Sequence, residues 1–366
     1  MMAKKTRQFQ LLVKPTSFDC NLRCGYCFYL KTQNLYPGTP RHLMSRDDLE
    51  TMVREYLGLG FPAPVFIWQG GEPTLCGLDF FERAVELEKK YARPGQFIGN
   101  AFQTNGMAID ESWAEFFSLN HFLVGLSLDG PAPIHDLFRK DLAGRSTFDR
   151  VFSAARLLRQ ARVEFNVLAM VNSKNAARAS EIYGFFKEAG FRFLQFIPAL
   201  DLEPESGKLA DFSPGPESYR EFLLELFELW WPDREIISIR DFDWLLAPNY
   251  QGRLCIFSEH CAPYLAVEHN LDVYPCDFFV RENERLGSLG EQKAGLIQIF
   301  ARREKIFAPR KKWLSRDCRA CPWLRFCFGG CLREREPKNN PDPKKSVYCQ
   351  AYAGLFERAW NKLKSG

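Results

Sequence analysis

Up to about residue 200, short β-type runs alternate with longer helical patterns, and this alternation restricts the fold more than any other feature of the chain. The runs that we predict as strands are residues 9–13, 65–68, 97–103, 122–126, 165–170 and 193–197. Apolar residues at helical spacing predict helices over 47–57, 78–91, 111–119, 148–160 and 176–189. Strands that alternate with helices predict an α/β fold with a parallel sheet, here an open, partial (β/α)6 barrel.

Polar motifs follow the first four of these strands, at the edge where such barrels carry their chemistry. The motifs are Cys20-x3-Cys24-x2-Cys27, Gln69-Gly70-Gly71-Glu72-Pro73, Thr104-Asn105-Gly106 and Ser127-Leu128-Asp129-Gly130. Two glycines allow close approach to a ligand, and the proline holds the residue before it in an extended conformation. We therefore expect the second motif to bind a ligand beside the cysteines.

Three thiols within eight residues are typical of metal ligands, and three is one fewer than a closed site needs. An iron-sulfur cube held by three thiolates leaves one iron open to a substrate. Two other interpretations remain: a zinc knuckle completed by a distant residue such as His42, or core cysteines clustered by chance.

Composition narrows the possible functions. The 366 residues are enough for one large and one smaller domain, and 46% of them are apolar, as in a globular protein. No signal-peptide core and no bilayer-spanning run is evident, so we expect a cytoplasmic protein without a membrane partner. Twelve cysteines in a reducing compartment indicate metal binding rather than disulfides. The formal net charge is +4, and the sequence contains no clustered basic stripe of the kind that binds nucleic acid.

Residues from about 201 to 235 contain an acidic connection, from Glu203 to Pro216, and then an apolar helix predicted over 219–231, and the cysteines return after them. The connection is a hinge or lid over the barrel, or a solvated loop. Pro232 is expected to end the helix, which predicts two domains, 1–232 and 233–366. The later cysteines follow the patterns Cys255-x5-Cys261-x14-Cys276 and Cys318-x2-Cys321-x5-Cys327-x3-Cys331-x17-Cys349. They supply eight thiols, enough for two closed four-ligand sites, although spacing alone leaves the place of Cys331 open.

The first cysteine motif, with an aromatic residue before its last cysteine, resembles the radical SAM superfamily, and the later cysteines resemble its SPASM extension. Within that extension the fit is tightest to the anaerobic sulfatase-maturating enzymes. Segments along nearly the whole chain carry this resemblance: 20–29, 69–74, 103–113, 124–131, 139–141, 193–197 and 273–278.

The resemblance implies a partial (β/α)6 radical SAM barrel followed by a smaller, cysteine-rich SPASM domain. It implies three [4Fe-4S] clusters and S-adenosyl-L-methionine (SAM), which is cleaved to methionine and a 5′-deoxyadenosyl radical. By the family pattern, the three sets of cluster ligands are Cys20, Cys24 and Cys27; Cys255, Cys261, Cys276 and Cys331; and Cys318, Cys321, Cys327 and Cys349. The residues implied in SAM binding are Tyr26, Gly70, Gly71, Glu72, Ser127, Arg139 and Leu200.

The implied reaction oxidises a cysteine or serine of a sulfatase polypeptide, in a Cys/Ser-x-Pro-x-Arg segment, to Cα-formylglycine. We expect Asp277 to take the proton that the substrate loses, with a pKa raised by burial and by nearby anionic sulfurs. Tyr29 and Gln69 are expected to help position the substrate. A low-potential carrier such as a flavodoxin or ferredoxin is the expected electron donor.

Simpler roles exist for several of these residues. Asp277 could cap the next segment, and Arg139 could pair with Asp136 or Asp141 on the surface. Cys76 lies outside every motif and is expected to be a small core residue. Leu271 stands where the family usually has glycine, so we expect the hairpin to turn one residue earlier, at Asn270.

Two rival functions remain. One is a SPASM enzyme that crosslinks a ribosomal peptide. The other is a zinc-binding scaffold without catalysis.

Overall fold

One mixed sheet organises the fold in the computed structural model, which describes residues 7–39, 41–291 and 295–365. Its strands lie in the order β10-β9-β8-β1-β2-β3-β4-β5-β6-β7. They are β1 (Gln10–Lys14), β2 (Val65–Trp68), β3 (Gly99–Thr104), β4 (Leu123–Ser127), β5 (Phe165–Val171), β6 (Phe193–Pro198), β7 (Ser238–Ile239), β8 (Tyr264–Glu268), β9 (Asp272–Tyr274) and β10 (Gly287–Ser288). The first six are parallel and adjacent in chain order. This confirms the predicted α/β class and the parallel barrel sheet.

The six predicted strands differ from the observed ones by at most two residues at an end. The largest difference is at β3, which was predicted from residue 97 and begins at Gly99. Phe97 is 80% exposed and precedes the first pair with β2, Val65 with Gly99. Its β-forming, apolar side chain made the strand look longer than the pairing allows.

Helices cover the sheet and connect its strands. They are α1 (Arg46–Gly58), α2 (Leu78–Tyr91), α3 (Glu111–Leu119), α4 (Ala132–His135), α5 (Phe148–Gln160), α6 (Ala179–Glu188), α7 (Pro216–Trp230), α8 (Arg240–Leu246), α9 (Leu296–Ile306), α10 (Arg316–Ala320), α11 (Leu324–Cys327) and α12 (Cys349–Ser365). Helices α2, α3 and α5 have the predicted bounds. The helix predicted from 176 starts only at Ala179, because Asn172 and Asn175 form a turn before it, with Asn172 N–H donating to Asn175 Oδ1 at 2.7 Å.

Residues after the predicted domain boundary at 232 continue the same sheet. Strand β7 pairs with β6 at one edge, and β8 pairs in parallel with β1 at the other, with Leu11 opposite Leu265. Helix α12 packs against α7. The division at 232 stays a prediction, and the sheet shows that the later cysteine-rich region is built onto both edges of the barrel.

The hairpin between β8 and β9 turns differently from the expectation. Leu271 itself has the left-handed conformation, with φ of 66°, and Asn270 does not. The Asn270 Oδ1 instead accepts the Asp272 N–H at 3.1 Å, and the Leu271 side chain is 1% exposed in the core. The expected shift of the turn to Asn270 was therefore wrong: burial of the leucine compensates for a backbone conformation that glycine adopts more easily.

Two other segments had alternatives open. The Cys76 Sγ lies 3.7 Å from the Pro15 carbonyl oxygen, and the side chain packs against the main core. In the connection after β6, Asp201 is 3% exposed and pairs with Arg333. That ion pair ties the start of the connection to the cysteine-rich region, so this part is not a solvated loop.

No helix in the described ranges is long and apolar enough to cross a bilayer.

Candidate active site

A cavity of about 430 Å³ opens where the carboxyl ends of the barrel strands face the cysteine-rich region. The candidate residues that line it are Cys20, Cys24, Tyr26, Cys27, Tyr29, Gln69, Gly70, Gly71, Ser127, Arg139, Leu200, Cys255, Asp277 and Cys331. Residues more than 300 positions apart thus meet at one place. Glu72 is not among the lining residues.

The loop after β1 places the first three cysteines. The Cys27 N–H donates to the Cys24 carbonyl at 3.0 Å, and the Leu22 N–H donates to Cys20 Sγ at 3.3 Å. Burial raises the pKa of all three thiols, that of Cys24 to about 11. A metal or cluster must therefore displace protons when it binds here, as thiolate ligation requires.

His42 is separate from this group. Its Nδ1 lies 3.1 Å from Asp19 Oδ1 and its Nε2 lies 3.1 Å from the Tyr36 carbonyl oxygen. Both ring nitrogens are therefore engaged, which disfavours the knuckle that His42 would complete.

The two glycines after β2 serve a close backbone approach, as predicted, but the partner is the cysteine loop itself. A Cβ on Gly71 would lie 2.0 Å from the Asp19 carbonyl oxygen, and one on Gly70, where φ is 123°, would lie 2.7 Å from the Ser17 carbonyl oxygen. The Gly71 N–H donates to that Ser17 oxygen at 2.8 Å. Any side chain here would push apart the two loops that line the cavity.

Glu72 faces the protein interior and not the cavity. Its carboxylate accepts hydrogen bonds from Thr74 N at 3.1 Å, Thr74 Oγ1 at 2.7 Å, Thr104 Oγ1 at 2.8 Å and Asn105 N at 2.7 Å. The residue is fully buried, and burial raises its pKa while these donors lower it. This placement disfavours the expected direct contact with SAM: Glu72 connects the loop after β2 to the loop after β3.

Arg139 reaches the cavity wall from the segment after α4. It pairs with buried Asp129, Nε to Oδ1 3.1 Å, and its guanidinium lies over the Tyr26 ring at 5.6 Å. Tyr26 also donates its hydroxyl to Asp129. The alternative partners are occupied elsewhere, because Asp136 accepts from Thr147 N and Asp141 pairs with Arg145. Arg139 is therefore a buried, oriented cation at the cavity.

Gln103 was not predicted to act here, although it lines the cavity. Its Nε2 donates to Ser127 Oγ at 3.0 Å. Its Oε1 occupies the space that a side chain at Gly125 would need, only 2.2 Å from an added Cβ. Gly125 thus makes room for the amide that orients Ser127.

Asp277 forms a compact polar group with the two residues expected beside it. Tyr29 OH donates to Asp277 Oδ2 at 2.7 Å, and Gln69 Nε2 donates to the same oxygen at 3.1 Å. No described residue donates a hydrogen bond to the other oxygen, Oδ1. Burial raises the pKa of Asp277, and the nearby Lys14 ammonium lowers it in part. The predicted direction is found, but burial is its main cause and the sulfurs are not among the causes. The side chain does not cap the following segment.

A buried ion pair behind Asp277 was missed from the sequence. Lys14 Nζ lies 2.7 Å from Glu268 Oε1 and 3.9 Å from Asp277 Oδ1, and Lys14 and Glu268 are fully buried. Burial opposes ionisation, yet the ammonium holds the pKa of Glu268 at about 2. A charge at the end of each apolar strand, β1 and β8, was the signal available, but only the parallel pairing of the two strands brings Lys14 opposite Glu268.

The later cysteines fall into two neighbourhoods. Burial and then Glu334 raise the pKa of Cys331, and the charges of Cys255 and Cys276 act on it as well. Burial and the charge of Cys255 raise the pKa of Cys261. In the second neighbourhood, burial raises the pKa of Cys349, and the charges of Cys318 and Cys321 raise it further. Burial and the charge of Cys349 raise the pKa of Cys327. Cys331 thus interacts electrostatically with Cys255 and Cys276, and its place among the cluster ligands stays a prediction.

These thiols are a donor set that fits iron-sulfur clusters. All twelve cysteines are free of disulfides. Within the described ranges, no three His, Cys, Asp or Glu side chains converge as a single metal ion would require. A four-iron cube takes one thiolate at each iron, so its ligands stand around it and need not meet at one point.

Comparisons with known proteins agree with this geometry. The model of the radical SAM superfamily matches residues 15–185. The chain is 42% identical to a cysteine-type anaerobic sulfatase-maturating enzyme of Clostridium perfringens (strain 13 / Type A), covering 96% of each chain. It is 36% identical to a serine-type enzyme of Bacteroides thetaiotaomicron, covering 95% of this chain and 88% of that one. A solved structure described as native anSMEcpe with bound AdoMet and Cp18Cys peptide aligns with a TM-score of 0.88 at 41% identity, covering 97% and 98% of the two chains.

Proposed function

The chain belongs to the anaerobic sulfatase-maturating enzymes of the radical SAM superfamily, and from this premise we propose that it oxidises a cysteine or serine of a sulfatase polypeptide to Cα-formylglycine. The observation that carries the proposal is the shared cavity. A three-cysteine loop lines it together with the buried Asp277 carboxylate, one oxygen of which accepts no hydrogen bond from the described residues. This oxidation needs a radical source, a proton acceptor and an acceptor for the second electron, and the cavity lining offers residues for the first two.

Cys20, Cys24 and Cys27 would hold the open [4Fe-4S] cluster, and its fit rests on three free thiols in one loop beside a cavity. SAM would occupy the space lined by Tyr26, Gly70, Gly71, Ser127, Arg139 and Leu200. When bound, cluster and SAM supply a radical that abstracts hydrogen from the substrate Cβ. Arg139 would pair with the methionyl carboxylate through its remaining guanidinium N–H groups, since Asp129 fixes its orientation.

Asp277 would take the proton from the substrate thiol or hydroxyl. Tyr29 and Gln69 occupy Oδ2, so Oδ1 is the atom that accepts it. Lys14, 3.9 Å from Oδ1, counteracts the effect of burial and favours the ionised, proton-accepting form. The chain supplies a base at a defined atom, within the same cavity as the cysteine loop.

The remaining eight ligands would hold two auxiliary [4Fe-4S] clusters, which would supply one-electron redox capacity; Cys276, one of these ligands, directly precedes Asp277 in the chain. Their ligation would also stabilise the fold of the cysteine-rich region. The further partners that we propose are a sulfatase segment of the form Cys/Ser-x-Pro-x-Arg and a low-potential carrier such as a flavodoxin or ferredoxin. Eleven thiolates on clusters favour a reducing compartment, the cytoplasm.

The test is anaerobic incubation of the reconstituted enzyme with SAM, dithionite and peptides that carry Cys-x-Pro-x-Arg or Ser-x-Pro-x-Arg, followed by mass spectrometry. A formylglycine product loses two hydrogens from serine, or exchanges sulfur for oxygen with loss of two hydrogens from cysteine. The preferred peptide assigns the target type. A hydrazine probe traps an aldehyde. A product whose mass has changed but that does not react with this probe would favour a crosslinking enzyme. A colourless protein that holds only zinc would contradict the proposal.

A further inference from the structure

The sulfur of Cys20 receives two hydrogen bonds from nitrogen. One comes from the backbone N–H of Leu22 at 3.3 Å and the other from the side-chain Nδ2 of Asn105 at 3.4 Å. The Asn105 amide cannot be turned around without loss, because its Oδ1 accepts the Met107 N–H at 2.9 Å. Its Nδ2 also donates to Asn21 Oδ1 at 2.7 Å, within the same cysteine loop. The donor group of Asn105 is thus directed at a cluster ligand.

Asn105 is held in place by the residue that was expected to contact SAM. The Glu72 carboxylate accepts the Asn105 backbone N–H at 2.7 Å and the Thr104 hydroxyl at 2.8 Å, in a fully buried position. Four donors converge on this one carboxylate. Charge-assisted hydrogen bonds of this kind fix a loop more firmly than neutral ones. The position of the Asn105 amide therefore depends on Glu72.

We propose that Asn105 is a positioning residue that donates a hydrogen bond to the Cys20 thiolate and raises the reduction potential of the cluster bound there, and that Glu72 keeps it in register. This rests on the proposed function, because it requires a cluster on Cys20, Cys24 and Cys27. A donor to a ligand sulfur stabilises the reduced cluster more than the oxidised one, since reduction places more negative charge on the sulfurs. The cluster then accepts its electron more readily.

The test compares two leucine substitutions, one at Asn100 on β3 and one at Asn105 in the loop that follows β3. Asn105→Leu removes the donor to Cys20. Asn100→Leu is the control, because Asn100 bonds Glu88 and Trp68 at the opposite end of β3 and has no hydrogen bond to a cysteine. Reductive titrations followed by electron paramagnetic resonance give the potential of the cluster whose signal changes on addition of SAM. We expect Asn105→Leu to lower the equilibrium constant for its reduction about tenfold, about 59 mV for one electron, and Asn100→Leu to leave it unchanged.

Two further variants and one further measurement complete the test. Asn105→Asp keeps the side-chain shape without an N–H donor, so it must also lower the potential, including where Asn105→Leu fails to assemble a cluster. Glu72→Gln should lower it by a smaller amount. A wild-type potential in both Asn105 variants would overturn the proposal, as would an equal shift in Asn100→Leu. If SAM affinity fell while the potential stayed constant, Asn105 would be a SAM ligand instead. A wild-type protein without any cluster signal would refute the proposed function itself.

Discussion

Two buried carboxylates near the cavity, Asp277 in its lining and Asp129 behind the lining residue Arg139, each have a tyrosine and a cation beside them. They differ in how completely their oxygens are hydrogen-bonded. Asp129 accepts from Tyr26 and from the Met170 N–H at 3.0 Å, and pairs with Arg139 at 3.1 Å. Among the described residues, the donors to Asp277 reach only Oδ2, and its cation is more distant, at 3.9 Å.

This difference separates a structural carboxylate from a chemical one. A buried carboxylate whose two oxygens are both engaged stabilises its neighbours and has little capacity left for a proton. A buried carboxylate with one unoccupied oxygen can accept one. We therefore assign Asp129 to the orientation of Arg139 and Tyr26, and Asp277 to proton transfer. The following predictions test this assignment, from the largest expected effect to the smallest.

Asp277→Asn should separate the two halves of the reaction. The amide cannot take the substrate proton, so we expect aldehyde formation to fall by about 10³-fold, while SAM is still cleaved. Peptide mass spectrometry and chromatography of 5′-deoxyadenosine measure the two products. Cys24→Ser is the control and should abolish both. Full aldehyde yield from Asp277→Asn would remove the role of Asp277.

Asp129→Asn should instead act on the scaffold. It leaves the buried Arg139 charge without its carboxylate, which should lower the free energy of unfolding by about 3–5 kcal/mol and weaken SAM binding. Urea unfolding and calorimetric titration with SAM measure these effects. The matched control is Asp136→Asn, which disturbs the Thr147 and Phe148 N–H groups, at a cost of about 1 kcal/mol. Equal stability of the two variants would contradict the assignment.

Tyr29 and Tyr26, the hydrogen-bond donors to Asp277 and Asp129, should show the same separation of roles with smaller effects. Tyr29→Phe removes a hydrogen bond to Asp277, worth about 1.5–3 kcal/mol for a charged acceptor, and should mainly lower kcat. Tyr26→Phe removes the equivalent bond to Asp129 and should mainly raise the KM for SAM. Steady-state kinetics with the sulfatase peptide distinguish the two. Identical changes in both variants would show that the two carboxylates do not have separate roles.

A pH dependence should appear on the Asp129 side. His135 Nδ1 accepts the Asp129 N–H at 3.3 Å, and burial lowers the pKa of His135 to about 4. The unfolded chain binds this proton near the ordinary pKa, so stability is complete above about pH 6.5 and is lost as pH falls below it, by about 1 kcal/mol between pH 7 and 5.5. Urea unfolding at the two pH values measures this loss. His135→Gln should reduce it, and an unchanged slope in that variant would contradict the assignment to His135.

The sequence predicted the fold well where the signal was local. Helical periodicity in residues 78–91, 111–119 and 148–160 predicted three helices with their observed bounds, because each is an amphipathic segment. Leu271 shows the limit of local reasoning. Its left-handed backbone depends on burial against the core, which no neighbouring residue announces.

The candidate site divides in the same way. The cysteine spacings and the glycine pair were readable in the chain, since each motif is contiguous. The inward direction of the Glu72 side chain was not readable, because a motif names a residue but does not say which way its side chain points. Lys14 and Glu268 were missed because they meet only through the pairing of β1 with β8.

By itself, the sequence determined the cysteine motifs, the six strands of the barrel and the loops that follow those strands. Only the tertiary structure decided which carboxylate has an open oxygen and which thiols are neighbours. The physical reason is that burial and hydrogen-bond saturation depend on segments far apart in the chain, which come together only when the sheet closes around the cavity.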